Sequence, residues 1–188
     1  MRYRRATPHD AVAVAALHAD SWRRHYRGVW SDAYLDGDVH ADRLAVWTAT
    51  LTHPAPDHHT IVAEDDGVLV GFAHTVLDDD GTWGALLDNL HVAYSMKRSG
   101  IGTKLMAETA QAVIEHAPAS GLFLWVLEQN AVARAFYEAR GGACAGRGTA
   151  YPPGGGAVPT LRISWPDPSV LLHGKSGTAR RRRRRVWP

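Results

Sequence analysis

The chain is short of several things. It has one cysteine, Cys144, in 188 residues, so no disulfide forms within it and a disulfide-stapled secreted scaffold is excluded. No apolar run approaches the length of about 18 residues that a membrane-spanning helix needs. Residues 1–6 carry no apolar signal core, and the expected compartment is the cytoplasm. The eleven histidines are scattered, and the adjacent His58 and His59 have no His or Cys at metal-ligand spacing, so no metal is expected.

An excess of basic charge is lacking too, despite a formal net charge of +2. Six of the 21 basic residues are the run Arg180–Arg185, while residues 1–166 hold 14 Lys and Arg against 18 Asp and Glu, a balance of −4. The body is mildly acidic. Residues 167–188 read as a disordered Arg-rich tail, either a solvated extension or an electrostatic arm for nucleic acid or another anionic surface.

What is present is an ordered alternation. Tyr3–Ala6 reads as a first strand, and Thr7-Pro8 with Asp10 as the start of a helix running through Val14 and Trp22 towards Tyr26. Shorter helices follow near 31–35 and 42–51. Strands then appear at 60–64, 68–76 and 83–92, the first two joined by the turn signal Asp65-Asp66-Gly67. A helix over 100–116, a strand over 122–127, a helix over 131–139 and strands at 143–150 and 158–165 complete the order. Antiparallel hairpins leading into a β-α-β crossover give a mixed sheet with helices on both faces, an α/β (α+β) domain over residues 1–166.

The most informative segment is Lys97-Arg98-Ser99-Gly100-Ile101-Gly102-Thr103, which joins a strand directly to a helix. Glycines let a ligand approach the main chain, and the first N–H groups of the helix have no intrahelical partner. With the helix dipole they favour a phosphate or diphosphate. Lys97 and Arg98 add charge, and Ser99 and Thr103 add hydroxyls. The spacing is not that of a P-loop, and a dinucleotide fingerprint would need a third glycine where Leu105 stands.

Lys97–Gly102, after the strand Leu90-His91-Val92, resembles the pyrophosphate loop of the GNAT superfamily of N-acetyltransferases. About thirty residues on, Leu124–Glu128 followed by Asn130 and the helical Phe136-Tyr137 resembles that family's second motif. The likeness spans about residues 2–165. Two departures stand out: Lys97 replaces the usual Arg or Gln, keeping charge but losing fork geometry, and Gly142 replaces the usual aromatic after Gly141.

The resemblance implies a twisted, mostly antiparallel sheet of about seven strands with one splayed parallel pair. It implies acetyl-CoA as co-substrate, lying between Leu87–Val92 and Leu122–Leu127, with main-chain groups of Leu90, His91 and Val92 along the pantetheine arm, residues 97–103 at the diphosphate and Asn130 on the arm. Asn130 equally suits a plain helix N-cap. Tyr137 is the implied acid for the leaving thiolate. The acceptor amine needs a base, because an alkyl ammonium has a pKa near 10.4. Relatives often place a Glu where Leu86 stands; Asp88, His91, Glu64 and Glu128 remain, and Asp88 ranks first because it shares alternation parity with Leu86 and Val92 unless a bulge intervenes.

Trp22 and Tyr26, with Trp30 and Tyr34 beyond, form either an aromatic wall for an acceptor or ordinary core, the usual fate of an apolar stripe. Asn89 and Glu128 are further acceptor-site candidates. The expected reaction is acetyl transfer to a primary amine of a small molecule, the alternatives being protein N-terminal or lysine acetylation and a non-enzymatic CoA-sensing or nucleic-acid-binding module. A homodimer is the default symmetric assembly.

Overall fold

The computed structural model describes residues 1–153 and 155–173. The elements are β1 (Arg2–Arg5), α1 (Ala11–His25), α2 (Asp32–Asp36), α3 (Val39–Thr52), β2 (His58–Asp65), β3 (Val68–Asp80), β4 (Gly84–Val92), α4 (Ile101–His116), β5 (Leu122–Leu127), α5 (Ala131–Glu138), β6 (Ala143–Ala150) and β7 (Val158–Trp165). A 3-10 turn at Pro8–Asp10 precedes α1. There Asp10 accepts from the Thr7 backbone N–H at 2.7 Å and from both terminal nitrogens of Arg4, which hold its carboxyl down to about 2.

The seven strands form one sheet in the order β1-β2-β3-β4-β5-β7-β6, antiparallel except between β4 and β5. Helices cover both faces. On one face α4 packs Ile101, Leu105, Met106, Ala110 and Val113 against Ala73, Leu87, Leu122, Leu124 and Ile163. Truncating a fully buried leucine such as Leu105 to alanine costs about 2–5 kcal/mol in such a core. On the other face α1 and α3 bury Val14, Ala15, Trp47 and Leu51 with Val62 and Phe72.

Three local features position the site. Gly84 opens β4 at φ +85, with Gly121 so close that no β-carbon fits, and Ala85 N–H donates to the Gly121 carbonyl at 3.0 Å. The β3–β4 register then shifts: Thr75 pairs with Leu87 but His74 pairs with Asn89, so Asp88 is the extra residue of a bulge. Ala85 and Leu87 before the bulge, and Leu90 and Val92 after it, therefore all face α4. The expected parity of Asp88 with Val92 is corrected by this bulge. Finally, β4 and β5 share only two rungs, Ala85–Leu122 and Leu86–Phe123, and then separate.

Gly142 has its reason in Trp165. A β-carbon at Gly142 would meet the Trp165 indole and Ile163 at 2.6 Å, so a side chain from β7 fills the place an aromatic at 142 would take. Beyond the expected boundary at residue 166, Pro168–Leu171 forms a 3-10 turn whose Leu171 joins the core against α4. The Arg180–Arg185 tail lies outside the described residues. No helix among the described residues is long and apolar enough to cross a membrane.

Candidate active site

The strand-to-helix turn adopts the geometry of an anion cradle. Gly100 caps α4 in the left-handed region at φ +88, and Arg98 is also left-handed at φ +66. The first helical bond runs from Lys104 N–H to the Gly100 carbonyl at 3.0 Å, so the N–H groups of Ile101, Gly102 and Thr103 precede it. Open space surrounds the Gly100 α-carbon. Gly102 instead makes room for a side chain: a β-carbon there would stand 3.2 Å from the Phe136 ring.

The polar side chains of the loop are engaged in particular ways. Ser99 Oγ donates to the Met96 carbonyl at 2.6 Å. Lys97 Nζ reaches His25 Nε2 at 2.5 Å, and His25 Nδ1 reaches the Ser21 carbonyl at 2.7 Å, which ties α1 to the loop. Burial and the Arg24 guanidinium push the Lys97 ammonium down. Arg98 is exposed. Thr103 Oγ1 accepts from two nitrogens of Arg140, one of them at 3.1 Å, leaving its own hydroxyl hydrogen free to donate outwards.

Across the opening stands α5. Asn130 accepts from Ala133 N–H at 3.1 Å, so it is the N-cap. Tyr137 packs edge-on against Trp165 and Phe136, and among the described residues its hydroxyl has no hydrogen-bond partner. Burial pushes that phenol well above its ordinary value, and the nearby Tyr26 raises it further. Along the opening, the main chain of β4 from Leu87 to Val92 is paired to β3 on one side only.

On the α1 face, Asp88 sits at the rim with Asn89 Nδ2 donating to it at 2.5 Å. The residue is exposed, but the protein atoms around its carboxyl displace part of its water and, with Asp79, raise its pKa. His91 turns to α1: Ser21 Oγ lies 2.8 Å from His91 Nδ1, and burial pulls the imidazole down to about 3. The other base candidates are occupied. Glu64 is bound by Arg4 between β1 and β2, and Glu128 pairs with Arg147 at 3.0 Å.

Trp22, Tyr26, Trp30 and Tyr34 touch one another in a half-buried cluster outside both hydrophobic cores. Arg43 lies over the Trp22 ring, 4.4 Å from its centroid. The β6–β7 connection closes on the same corner, where Gly155 abuts the Val29 carbonyl. Two residues went unnoticed in the sequence: Arg140, which joins α5 to the first turn of α4, and Arg162 on β7. A single arginine between Leu161 and Ile163 reads as an ordinary solvated position, and no signal in the sequence singles it out. Among the described residues no three His, Cys, Asp or Glu side chains gather as a metal site would require.

A glycine-capped helix after a strand that parts from its parallel neighbour is the arrangement the acetyltransferase resemblance implies. The chain belongs to the Acetyltransferase (GNAT) family, whose model matches residues 15–142. It is 31% identical over 139 residues to the probable N-acetyltransferase Rv2775 of Mycobacterium tuberculosis, covering 73% of this chain and 77% of the relative. It is 26% identical over 171 residues to the uncharacterized N-acetyltransferase YuaI of Bacillus subtilis, covering 89% and 94% of the two. In fold it is similar to the PaiA N-acetyltransferase of Thermoplasma acidophilum solved in complex with coenzyme A, at TM-score 0.67 and 18% identity over 87% of this chain and 98% of the other. A second likeness is YncA of Salmonella typhimurium with acetyl-CoA, at TM-score 0.63 and 17% identity over 95% and 97%.

Proposed function

We propose that the chain moves an acetyl group from acetyl-CoA to the primary amine of a small molecule by direct attack of the amine on the thioester. The observation that carries this reading is the β4–β5 pairing that ends after two rungs, with the bare N–H groups of Ile101, Gly102 and Thr103 at the far end of the opened strand. A diphosphate suits that helix start. An extended amide-bearing arm suits the free edge of β4 at Leu90 and Val92, as an added strand would. The thioester then falls near the bulge at Asp88.

Each remaining residue has a task in this reading. Asp88, with a raised pKa, takes a proton from the incoming ammonium, so the free amine attacks. Backbone N–H groups beside the bulge face the charge that develops on the thioester oxygen. The C–N bond forms first. The C–S bond then breaks with Tyr137, still protonated at working pH, donating to the departing sulfur. The extra proton on the new amide nitrogen leaves to solvent, from which Tyr137 is reprotonated. Trp22, Tyr26 and Asn89 line the acceptor side. Glu128, engaged by Arg147, is a peripheral member of that side. The cytoplasm supplies acetyl-CoA and is the compartment this reading requires.

The test is thiol release from acetyl-CoA against a panel of small amines and peptides, with acetyl-CoA binding followed by calorimetry. Turnover with small amines is the expected result. Failure to bind acetyl-CoA overturns the reading, and turnover with peptides alone turns it to protein acetylation.

A further inference from the structure

Arg162 stands where the sheet opens. Leu161, Ile163 and Trp165 on β7 face α4, so the intervening Arg162 lies on the opposite face. Phe123 and Trp125 share that face by the same alternation along β5, where Leu122, Leu124 and Val126 enter the core. The Arg162 guanidinium lies 4.4 Å from the Trp83 centroid, 4.6 Å from Trp125 and 5.6 Å from Phe123. Phe123 is in the last rung that joins β5 to β4, and Trp125 is on the stretch where β5 runs free. The cation is therefore held at the fork.

Its charge is not matched. Among the described residues Arg162 makes no ion pair, and its Nε is buried without a hydrogen-bond partner. Arg4, Arg27 and Arg43 each have a carboxylate, and Arg134 and Arg140, which have none, donate to the Glu128 carbonyl and to Thr103 and the Phe136 carbonyl, whereas among the described residues Arg162 donates to no oxygen. Asp80 senses Arg162, but Asp80 Oδ1 is taken up by the Thr82 and Trp83 backbone N–H groups at 2.7 and 3.0 Å. A guanidinium flattened between aromatic rings keeps its edge, with a fixed fork of N–H donors, available to a planar anion. Nε is out of reach of a ligand, so the donors an anion would meet are the two terminal nitrogens, which have no partner among the described residues.

Two charges of opposite sign then flank the fork on one face: the Asp88 carboxylate on the β4 bulge and the Arg162 guanidinium on β7. We infer that the acceptor is an amine that also carries a carboxylate, an amino-acid-like molecule, and that Arg162 is the residue that reads the carboxylate. The inference rests on the small-amine reading above and narrows it.

The experiment compares matched pairs of acceptors, free amino acids against their carboxamides and against the amines that lack the group, by thiol release at fixed saturating acetyl-CoA. The wild-type enzyme should favour the carboxylate member by about 10- to 100-fold in kcat/KM, the range of one charge-assisted bond. Arg162→Gln should bring that ratio to within about twofold of unity, mostly through KM, and Arg162→Lys should retain part of it because charge persists without the fork. Acetyl-CoA binding by calorimetry and the thermal midpoint establish that each variant is folded, and Arg162→Lys serves if Arg162→Gln is not. Equal turnover of both members by the wild type overturns this inference alone. A wild-type preference that survives in both variants removes Arg162 from it. Turnover of neither member, with acetyl-CoA bound, overturns the small-amine reading and this inference with it.

Discussion

His18 on α1 and His91 on β4 face each other with ring centroids 4.5 Å apart. His18, 1% exposed, accepts the Trp47 indole N–H on Nδ1 at 2.9 Å, so its hydrogen sits on the buried and unpartnered Nε2. The neighbours that lower the two rings are basic residues: Arg43 beside His18, and His25 and Lys97 beside His91. Burial first, and then these neighbours, keep both rings uncharged.

An acid-sensitive stability follows. His91 is pulled down to about 3 and His74 to about 4, and His18 is pulled down as well, each from an ordinary 6.5. Above pH 6.5 neither folded nor unfolded chain protonates these rings, so they contribute no slope. Below it the unfolded chain takes up protons that the folded one refuses, and stability falls. The slope between pH 6 and 4.5 approaches about 1.4 kcal/mol per pH unit for each ring. Urea unfolding at half-unit steps measures it, and His91→Gln should remove one ring's share, about 1.4 kcal/mol per pH unit. A flat profile over this window contradicts the assignment.

Arg140 ties the two motif helices together. Its guanidinium lies 3.6 Å from the Phe136 ring centroid, donates to the Phe136 carbonyl at 2.7 Å and holds Thr103 in the first turn of α4. Arg140→Met should raise KM for acetyl-CoA by about tenfold, the worth of one charge-assisted bond, with a smaller change in kcat. An unchanged KM would show that Thr103 needs no such support.

Tyr137→Phe keeps the ring against Trp165 and removes only the phenol. Turnover should fall by about 10²-fold, as for loss of a general acid, while acetyl-CoA affinity by calorimetry stays within about twofold of the original. An equal loss of affinity and turnover would make Tyr137 a binding residue instead.

Gly84→Ala tests the closed end of the fork. The backbone there is left-handed at φ +85, and the new β-carbon would run into the Gly121 carbonyl and the Ser120 hydroxyl. A loss of about 2–4 kcal/mol in unfolding free energy is expected from strain and displacement together. Gly100→Ala, where φ is +88 but nothing lies within 4 Å, should cost less, about 1–2 kcal/mol.

Much of this architecture is legible in the residues. Strands bounded by turn signals and glycines, such as the apolar run Leu122–Leu127 and the segment Val158–Trp165, fall where the sequence puts them. The glycine-capped helix start at 100–103 is legible because its geometry is local: a helix start needs no distant partner to expose its N–H groups. The facing of Asp88 is not, since alternation is counted along one strand whereas a bulge depends on the partner strand's register. His18 depends on Trp47, 29 residues away, and Gly142 on Trp165 across the sheet. Arg162 depends on three aromatic rings from two segments, Trp83 before β4 and Phe123 and Trp125 on β5.

Only Ala85–Leu122 and Leu86–Phe123 join the four-stranded and three-stranded halves of the sheet by backbone pairing, and the shared core under α4 carries the rest of the connection. In the proposed reaction a molecule laid along the free β4 edge would supply backbone cross-links that the polypeptide omits there. Its departure would return those strand edges to water, so the sheet is completed on each turnover by what it binds.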